Sequence, residues 1–421
     1  MLLCAAFLST CQVVRSETAS SITQFGASWT FDKDHEVGHF VNGDWWVLGP
    51  VTIIGIQPAS DGEINGTMMN PSMNAGQGFD HRIKSVKFNP ELNVAAKLPL
   101  TVSEPASLVS AISIKEKTTG DNIQLDTIAI LTVLNTAPPE GSFRPPYQGA
   151  DKTIIANKAD LNFAPLGKYE TVSAAPDFSV AAAAFERPWI ELQTNWTGRY
   201  LHPVNNQPSY GREIAHVLGN GLLALQLDAP DSAKETLLIR MVQIGIDIFG
   251  AARMGATWGA DGGHNQGRKM PLLLAAVVLE NNEMLKYADA QQHFIFQEDQ
   301  QTFSITQEDV DLARTPGRDG KTLEPYNSKM IGQPEWGIRH STKPGSDNAN
   351  WDATYRTVSG APTLTHVLVA RLMKLEDKWN HPVIFEYYDR HWEIEKDRTG
   401  AGPNGVQQFT KQMWEAHRAR P

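Results

Sequence analysis

The stretch "GADGGHNQGRKM", residues 259–270, sets glycines, an imidazole, amides and two cations directly before an apolar run, "PLLLAAVVLE". Glycine admits positive φ and lets backbone approach a ligand closely, and the apolar run predicts a helix whose first unpaired N–H groups can face an anion. Within this entrance His264 is the candidate for proton transfer, and Asn265, Arg268 and Lys269 supply the donors and charge that a small anionic group requires. The plainer reading is a tight interhelical loop in which Asp261 caps the turn and Arg268 and Lys269 lie in solvent. The run does not match the GxxxxGK[ST] phosphate loop and follows no βαβ pattern, which argues against a nucleotide.

Two other segments concentrate chemistry. "PEWGIRHSTKPGSDNANWDATYRTVSG", residues 334–360, holds Trp336, Arg339, His340, Lys343, Trp351, Tyr355 and Arg356. Aromatic faces stack on the apolar side of a pyranose while cations and amides fix its hydroxyls or carboxylate. Trp351 and Tyr355, four residues apart, also fit the core face of a helix. "ERPWIELQTNWTGRYLHPVNNQPSYGREIAH", residues 186–216, contains Trp189, Asn195, Trp196, Arg199, Tyr200, His202, Asn205, Asn206, Tyr210 and His216. It reads as a substrate-facing wall before a helix, with Asn195 and His202 the leading members, or equally as a set of turns and caps. No HExxH, Asp-rich calcium loop or paired-cysteine motif is present. A metal would need His35, His39 and His81 to meet in space, and the expectation is no metal and no cofactor.

The elements that must position these residues change character along the chain. Residues 25–150 carry short β-branched runs such as "LVSAISI" and "IQLDTIAILTVL" between Asn-Gly and Gly-Pro turns, which predicts an antiparallel β-rich module. "TAPPEGSFRPPYQGA", 136–150, reads as its boundary, and 151–184 as a linker or crossing segment. From 185 to 421 the spacing is helical. "SYGREIAHVLGNGLLALQL" and "SAKETLLIRMVQIGIDIFGAARM" predict two helices joined at Asp-Ala-Pro-Asp, with further helices after Lys269, near 352–375 and near 405–417. The fold class expected is α+β and multidomain: an antiparallel β-rich module followed by a helical toroid or bundle. The polar, Gly- and Pro-rich interval 312–350 is expected to be a binding loop.

The 421 residues are 41% hydrophobic and 20% charged, an ordinary globular composition. A net charge of −10 argues against a nucleic-acid partner. The opening "MLLCAAFLSTCQ" resembles the apolar part of a secretory signal, and "LSTC" resembles a lipoprotein box with Cys11 as the lipidated residue. Residues 1–20 are therefore expected to be a leader, and the protein to be exported, periplasmic or extracellular, with an outer-membrane lipoprotein as one form. Both cysteines, Cys4 and Cys11, lie here, so the mature chain is expected to carry no disulfide and no thiol nucleophile. No later apolar stretch reaches transmembrane length. Oligomeric state is not legible.

A uronic-acid polymer can be cut without water: a base takes the C5 proton, a donor stabilises the enolate of the adjoining carboxylate, and an acid protonates the departing O4. Histidine and tyrosine suit the proton steps, and Asn or Arg suits the carboxylate. The β-rich module, the helical region and above all "DGGHNQGRKMPLLLAAVVLE" with "NWDATYR" resemble secreted bacterial polysaccharide lyases acting on alginate or glucuronan, over roughly residues 185–395. The resemblance implies an incomplete (α/α) toroid as catalytic domain. It also implies His264 and Tyr355 in proton transfer, with Tyr326 as a rival tyrosine, and Asn265 and Arg339 as carboxylate neutralisers. Asn195, His202, Arg268, Lys269, Trp336, His340 and Arg356 would contact an anionic polysaccharide. The chain lacks the adjacent Asn-Asn-His arrangement of some alginate lyases. Two rival readings remain: a glycoside hydrolase with two facing carboxyls drawn from Asp261, Glu335 and Asp352, and a non-enzymatic exported glycan-binding protein.

Overall fold

The computed structural model describes residues 17–115, 125–311, 325–337, 351, 356, 359–396 and 405–418. Its first part is a curled sheet of eight strands: β1 (Glu17–Gln24), β2 (Ala27–His39), β3 (Trp45–Leu48), β4 (Val51–Gln57), β5 (Thr67–Met69), β6 (Leu100–Val102), β7 (Ala106–Ser113) and β8 (Leu125–Leu134). They lie in the order β5-β7-β8-β3-β2-β4-β6, with β1 on β2. The curl follows from β2, which pairs with β4 through its first residues and with β3 through its last. The expected antiparallel pattern holds for every pair but one. β3 and β8 run parallel: the chain builds β4 to β7 elsewhere in the same sheet before β8 returns beside β3.

Alternation along the central strands explains why they read as unbroken apolar runs. In β8, Ala129, Leu131 and Val133 pack with Trp29, Phe31 and Val47 on one face. Ile128 and Ile130 pack on the other with Phe79 and Ile83, and with Ile190, Leu192 and Leu201 from the segment that follows the sheet. A strand covered on both faces needs no polar side.

The second part is helical: α1 (Phe178–Ala183), α2 (Gly211–Ala224), α3 (Asp231–Arg253), α4 (Lys269–Val278), α5 (Asn282–Ala288), α6 (Gln297–Gln301), α7 (Gln307–Asp311), α8 (Ala361–Leu372), α9 (Glu376–Trp379), α10 (Pro382–Glu395) and α11 (Gln408–His417), with a two-stranded ribbon of β9 (Thr302–Ser304) and β10 (Pro334–Trp336). α2, α3, α4, α8 and α10 share one apolar core, which includes Leu218, Leu222, Val242, Leu273, Leu368 and Tyr387. Small residues bring the axes close. A Cβ on Gly245 of α3 would stand 2.5 Å from the Pro271 carbonyl oxygen and from the Ala275 Cβ of α4. Pro271 is tolerated because it sits in the first turn of α4, where its missing N–H costs nothing.

The two parts are locked by charge. Arg144, from the expected boundary segment, donates to Asp44 ahead of β3 at 2.5 Å and to Asp247 of α3 at 2.6 and 3.0 Å. All three are buried, an arrangement that is tolerable only because the guanidinium is paired on both sides. No helix among the described residues is long and apolar enough to cross a membrane.

Candidate functional site

The glycine-rich entrance to α4 lies where the first turn of α2, α6 and the segment 191–200 meet. Glycines on both sides of this junction permit close approach. A Cβ on Gly211 of α2 would fall 1.9 Å from the His264 carbonyl oxygen, and one on Gly263 would fall 2.5 Å from the Tyr210 hydroxyl. Gly267, at φ +88°, lies against Ala215 of α2.

Two N–H groups of the loop ahead of α4 are taken up internally. The Asn265 N–H donates to Gln297 Oε1 at 3.0 Å, and the Gly267 N–H to Glu298 Oε1 at 2.5 Å. Asn265 commits both protons of its own carboxamide, to the carbonyls of Thr194 (3.0 Å) and Gly259 (2.8 Å). It is therefore a strut between two loops, and its assignment as a carboxylate neutraliser is corrected. Arg268 and Lys269 are buried rather than solvated. Arg268 pairs with Glu191 at 2.7 Å, and Lys269 pairs with Asp299 at 2.6 Å beneath the Trp379 ring. Neither has charge to spare for a polysaccharide. Burial lowers the Lys269 ammonium from its ordinary value, opposed by Asp299.

Other expected ligand residues also belong to the interior. Trp336 is fully buried against Tyr387 and Tyr388. Arg356 is fully buried and bonded to Glu335 at 2.8 Å; burial opposes its charge, but Glu335 and Tyr326 outweigh burial and hold it above the usual arginine value. Tyr326 accepts from Arg356 at 3.4 Å. Glu335, a candidate hydrolytic acid, is spent on Arg356 and on Arg390 at 3.0 Å. His202 is buried with Nδ1 on the Pro208 carbonyl (3.2 Å), and burial, helped by Arg268 and opposed by Glu191, depresses it to about 4. Asn195 is on the surface, where its Oδ1 caps the short helical turn 196–200 through the Thr197 N–H. Tyr355, Arg339, His340 and Asp352 lie outside the described residues, as do Cys4 and Cys11. His35, His39 and His81 go separately to Asp32, the Gly43 carbonyl and the Glu63 carbonyl.

His264 itself stays at the surface, half-buried. Its ring meets that of Tyr210 edge-on, centroids 4.6 Å apart at 81°. Arg212 lies against the Tyr210 ring, its Cζ 5.3 Å from the ring centroid, and pairs with Glu213. On the other flank Asp261 Oδ2 accepts from the Trp196 N–H at 3.2 Å, which brings the turn 196–200 beside the loop. Trp196 is 45% exposed, and Arg199 lies between it and Tyr200, 5.8 and 4.6 Å from the two ring centroids. One contiguous surface therefore carries an imidazole, two phenols, an indole and two guanidiniums. The sequence placed Trp196, Arg199, Tyr200 and Tyr210 in a wall without joining them to His264; the signal was the glycine on each side of the contact, Gly211 and Gly263. Arg212 was missed, and so were Gln297, Glu298 and Asp299, because an all-polar run of five residues in a short helix reads as surface. Burial raises the Glu298 carboxyl to about 7 against its bonds to backbone N–H groups. Among the described residues no group of three His, Cys, Asp or Glu side chains is placed to hold a metal. The chain matches no protein-family model, no curated protein and no solved structure.

Proposed function

We propose that the protein is a lyase that cleaves a uronate-containing polysaccharide, alginate or glucuronan, by β-elimination, acting outside the cell from a helical domain of the incomplete (α/α) toroid type. The observation that carries this reading is the contact of His264 with Tyr210 at a half-buried surface, with Arg212 against the Tyr210 ring and the turn of Trp196 and Arg199 tied to the same loop through Asp261. His264 takes the C5 proton, the C4–O4 bond breaks as the C4–C5 double bond forms, and the Tyr210 hydroxyl gives its proton to O4. The Arg212 and Arg199 guanidiniums favour the carboxylate as it gains enolate character, and the Trp196 indole offers a face to a neighbouring sugar. Tyr210 here takes the part that the resemblance implied for Tyr355. Hydrolysis is the weaker reading, since Glu335 is buried between two arginines and Asp261 is tied to the Trp196 N–H.

The test is incubation of the purified protein with alginate, polymannuronate, polyguluronate and glucuronan while the ultraviolet absorbance of the unsaturated uronate is followed. A rise that His264→Ala lowers by about 10²–10⁴-fold, and that Tyr210→Phe lowers too, is the expected result. New reducing ends without that absorbance would replace elimination by hydrolysis. Binding of a polymer with no product would leave a glycan-binding protein, the reading that the exposed Trp196 beside Arg199 favours on its own.

A further inference from the structure

The buried cations of the loop are not ligands, yet one of them reaches the peptide that presents His264. Arg268 donates through Nη1 to the carbonyls of Gln266 (2.6 Å) and His264 (3.4 Å), while its Nε and Nη2 are held by Glu191 Oε1 at 3.0 and 2.7 Å. A guanidinium can do this because its donors lie in one rigid plane, so the carboxylate on one edge fixes the carbonyls bound on the other. Glu191 is anchored in turn. Its backbone N–H donates to the Tyr147 hydroxyl at 2.7 Å, and that hydroxyl donates to the Glu191 carbonyl at 3.2 Å. Tyr147 lines one small cavity with Asp247, the carboxylate that grips Arg144; the Arg144 Cζ stands 5.6 Å from the Tyr147 ring centroid, and Arg144 ends on Asp44 beside β3. His202 lies next to the Glu191–Arg268 pair and, depressed to about 4, stays neutral there and leaves the pair's charge balanced.

We infer that Arg268 is a positioning residue for His264, and that the seam Glu191–Tyr147–Asp247–Arg144–Asp44 anchors that support to the sheet module. The assignment rests on the proposed role of His264 for its catalytic meaning, but its geometry can be read without turnover. The sheet module thereby acquires a part in the site: it is the fixed end of a buried polar strut whose free end is a catalytic peptide.

The experiment compares wild type, Arg268→Lys and Asp44→Asn in the full chain, by the ring NMR resonances of His264, assigned through their loss in His264→Gln, and by thermal melting. Lysine keeps a charge opposite Glu191 but cannot span both carbonyls. Arg268→Lys is expected to melt within a few degrees of wild type, to displace the His264 resonances, and, on a polymer that wild type cleaves, to lower kcat by about a hundredfold with KM nearly unchanged. Asp44→Asn is expected to displace the same resonances less. A purely structural Arg268 would lower the melting temperature and leave the His264 resonances of the folded protein in place, which overturns the proposal. Silent His264 resonances in Asp44→Asn overturn the link to the sheet module. Should wild type cleave nothing, the lyase reading fails, while the displaced resonances still test the strut.

Discussion

Two rows of polar side chains flank the glycine-rich loop, and they differ in what they spend their donors on. On the outer side two partly exposed groups make ring contacts, His264 with Tyr210 and Arg212, and Trp196 with Arg199. On the inner side Asn265, Arg268, Lys269, Gln297, Glu298 and Asp299 are buried, the donors of the first three committed to carbonyls and carboxylates and the side-chain oxygens of the last three accepting from loop N–H groups or from Lys269. The letters of the two rows are interchangeable. What separates them is depth: the inner row is buried, where a charge survives only when paired, whereas the outer row is partly exposed to solvent. Polar residue type therefore shows that a loop is under chemical constraint, but not whether the constraint is a substrate or the fold.

The largest effect expected from breaking the inner row is on stability. Asp299→Ala leaves Lys269 charged with neither its carboxylate nor water, and should cost about 3–5 kcal/mol, read as a fall in the urea midpoint at unchanged slope. Acid should act next. His202 and His366 are both buried and both depressed from 6.5 to about 4, chiefly by desolvation, so the folded state binds fewer protons than the unfolded chain between these values. Their contribution is complete above pH 6.5 and is lost as pH falls toward 4, about 3 kcal/mol for each. Glu298, raised to about 7, acts in the opposite sense from pH 7 down to its unfolded value, and offsets about one of the two histidines. Glu298→Gln should therefore make the loss of stability between pH 6.5 and 4 about twice as steep, a difference that melting across this range resolves. The outer row should be nearly silent in these assays. Trp196→Ala exposes no core and breaks no ion pair, so its melting temperature should stay near wild type while affinity for a bound glycan falls by about 1 kcal/mol, measured by titration calorimetry.

The outline of the fold was open to sequence reading because it rests on periodicity. The strands of 25–150 and the helices α2, α3, α4 and α11 fall where alternation and three-to-four spacing put them, and the Asp-Ala-Pro-Asp turn joins α2 to α3. Of the helix expected over 352–375, residues 352–355 and 357–358 lie outside the described residues, and α8 spans Ala361–Leu372 with Pro362 in its first turn, where proline is tolerated. The parallel β3–β8 pair was hidden because pairing partners more than eighty residues apart leave no local mark. At the site, His264 was legible as a lone imaginable base among glycines. Its contact with Tyr210 was not, since the two are joined only when α2 lies on the loop. The inner row was misread for the opposite reason: Arg268 and Lys269 follow one another directly and look solvated, and their partners Glu191 and Asp299 lie far off in sequence.

The N–H groups of Asn265 and Gly267 end on Gln297 and Glu298, and this bears on how far the loop could travel. A peptide whose shape is set by distant side chains is not portable. Moved onto another scaffold, "GGHNQGRK" would carry its imidazole and lose its posture, and the same letters found in another chain would carry no meaning without counterparts of Glu191, Gln297 and Glu298 beneath them. The unit that can be inherited, copied or transplanted is the supported loop, which amounts to most of the protein.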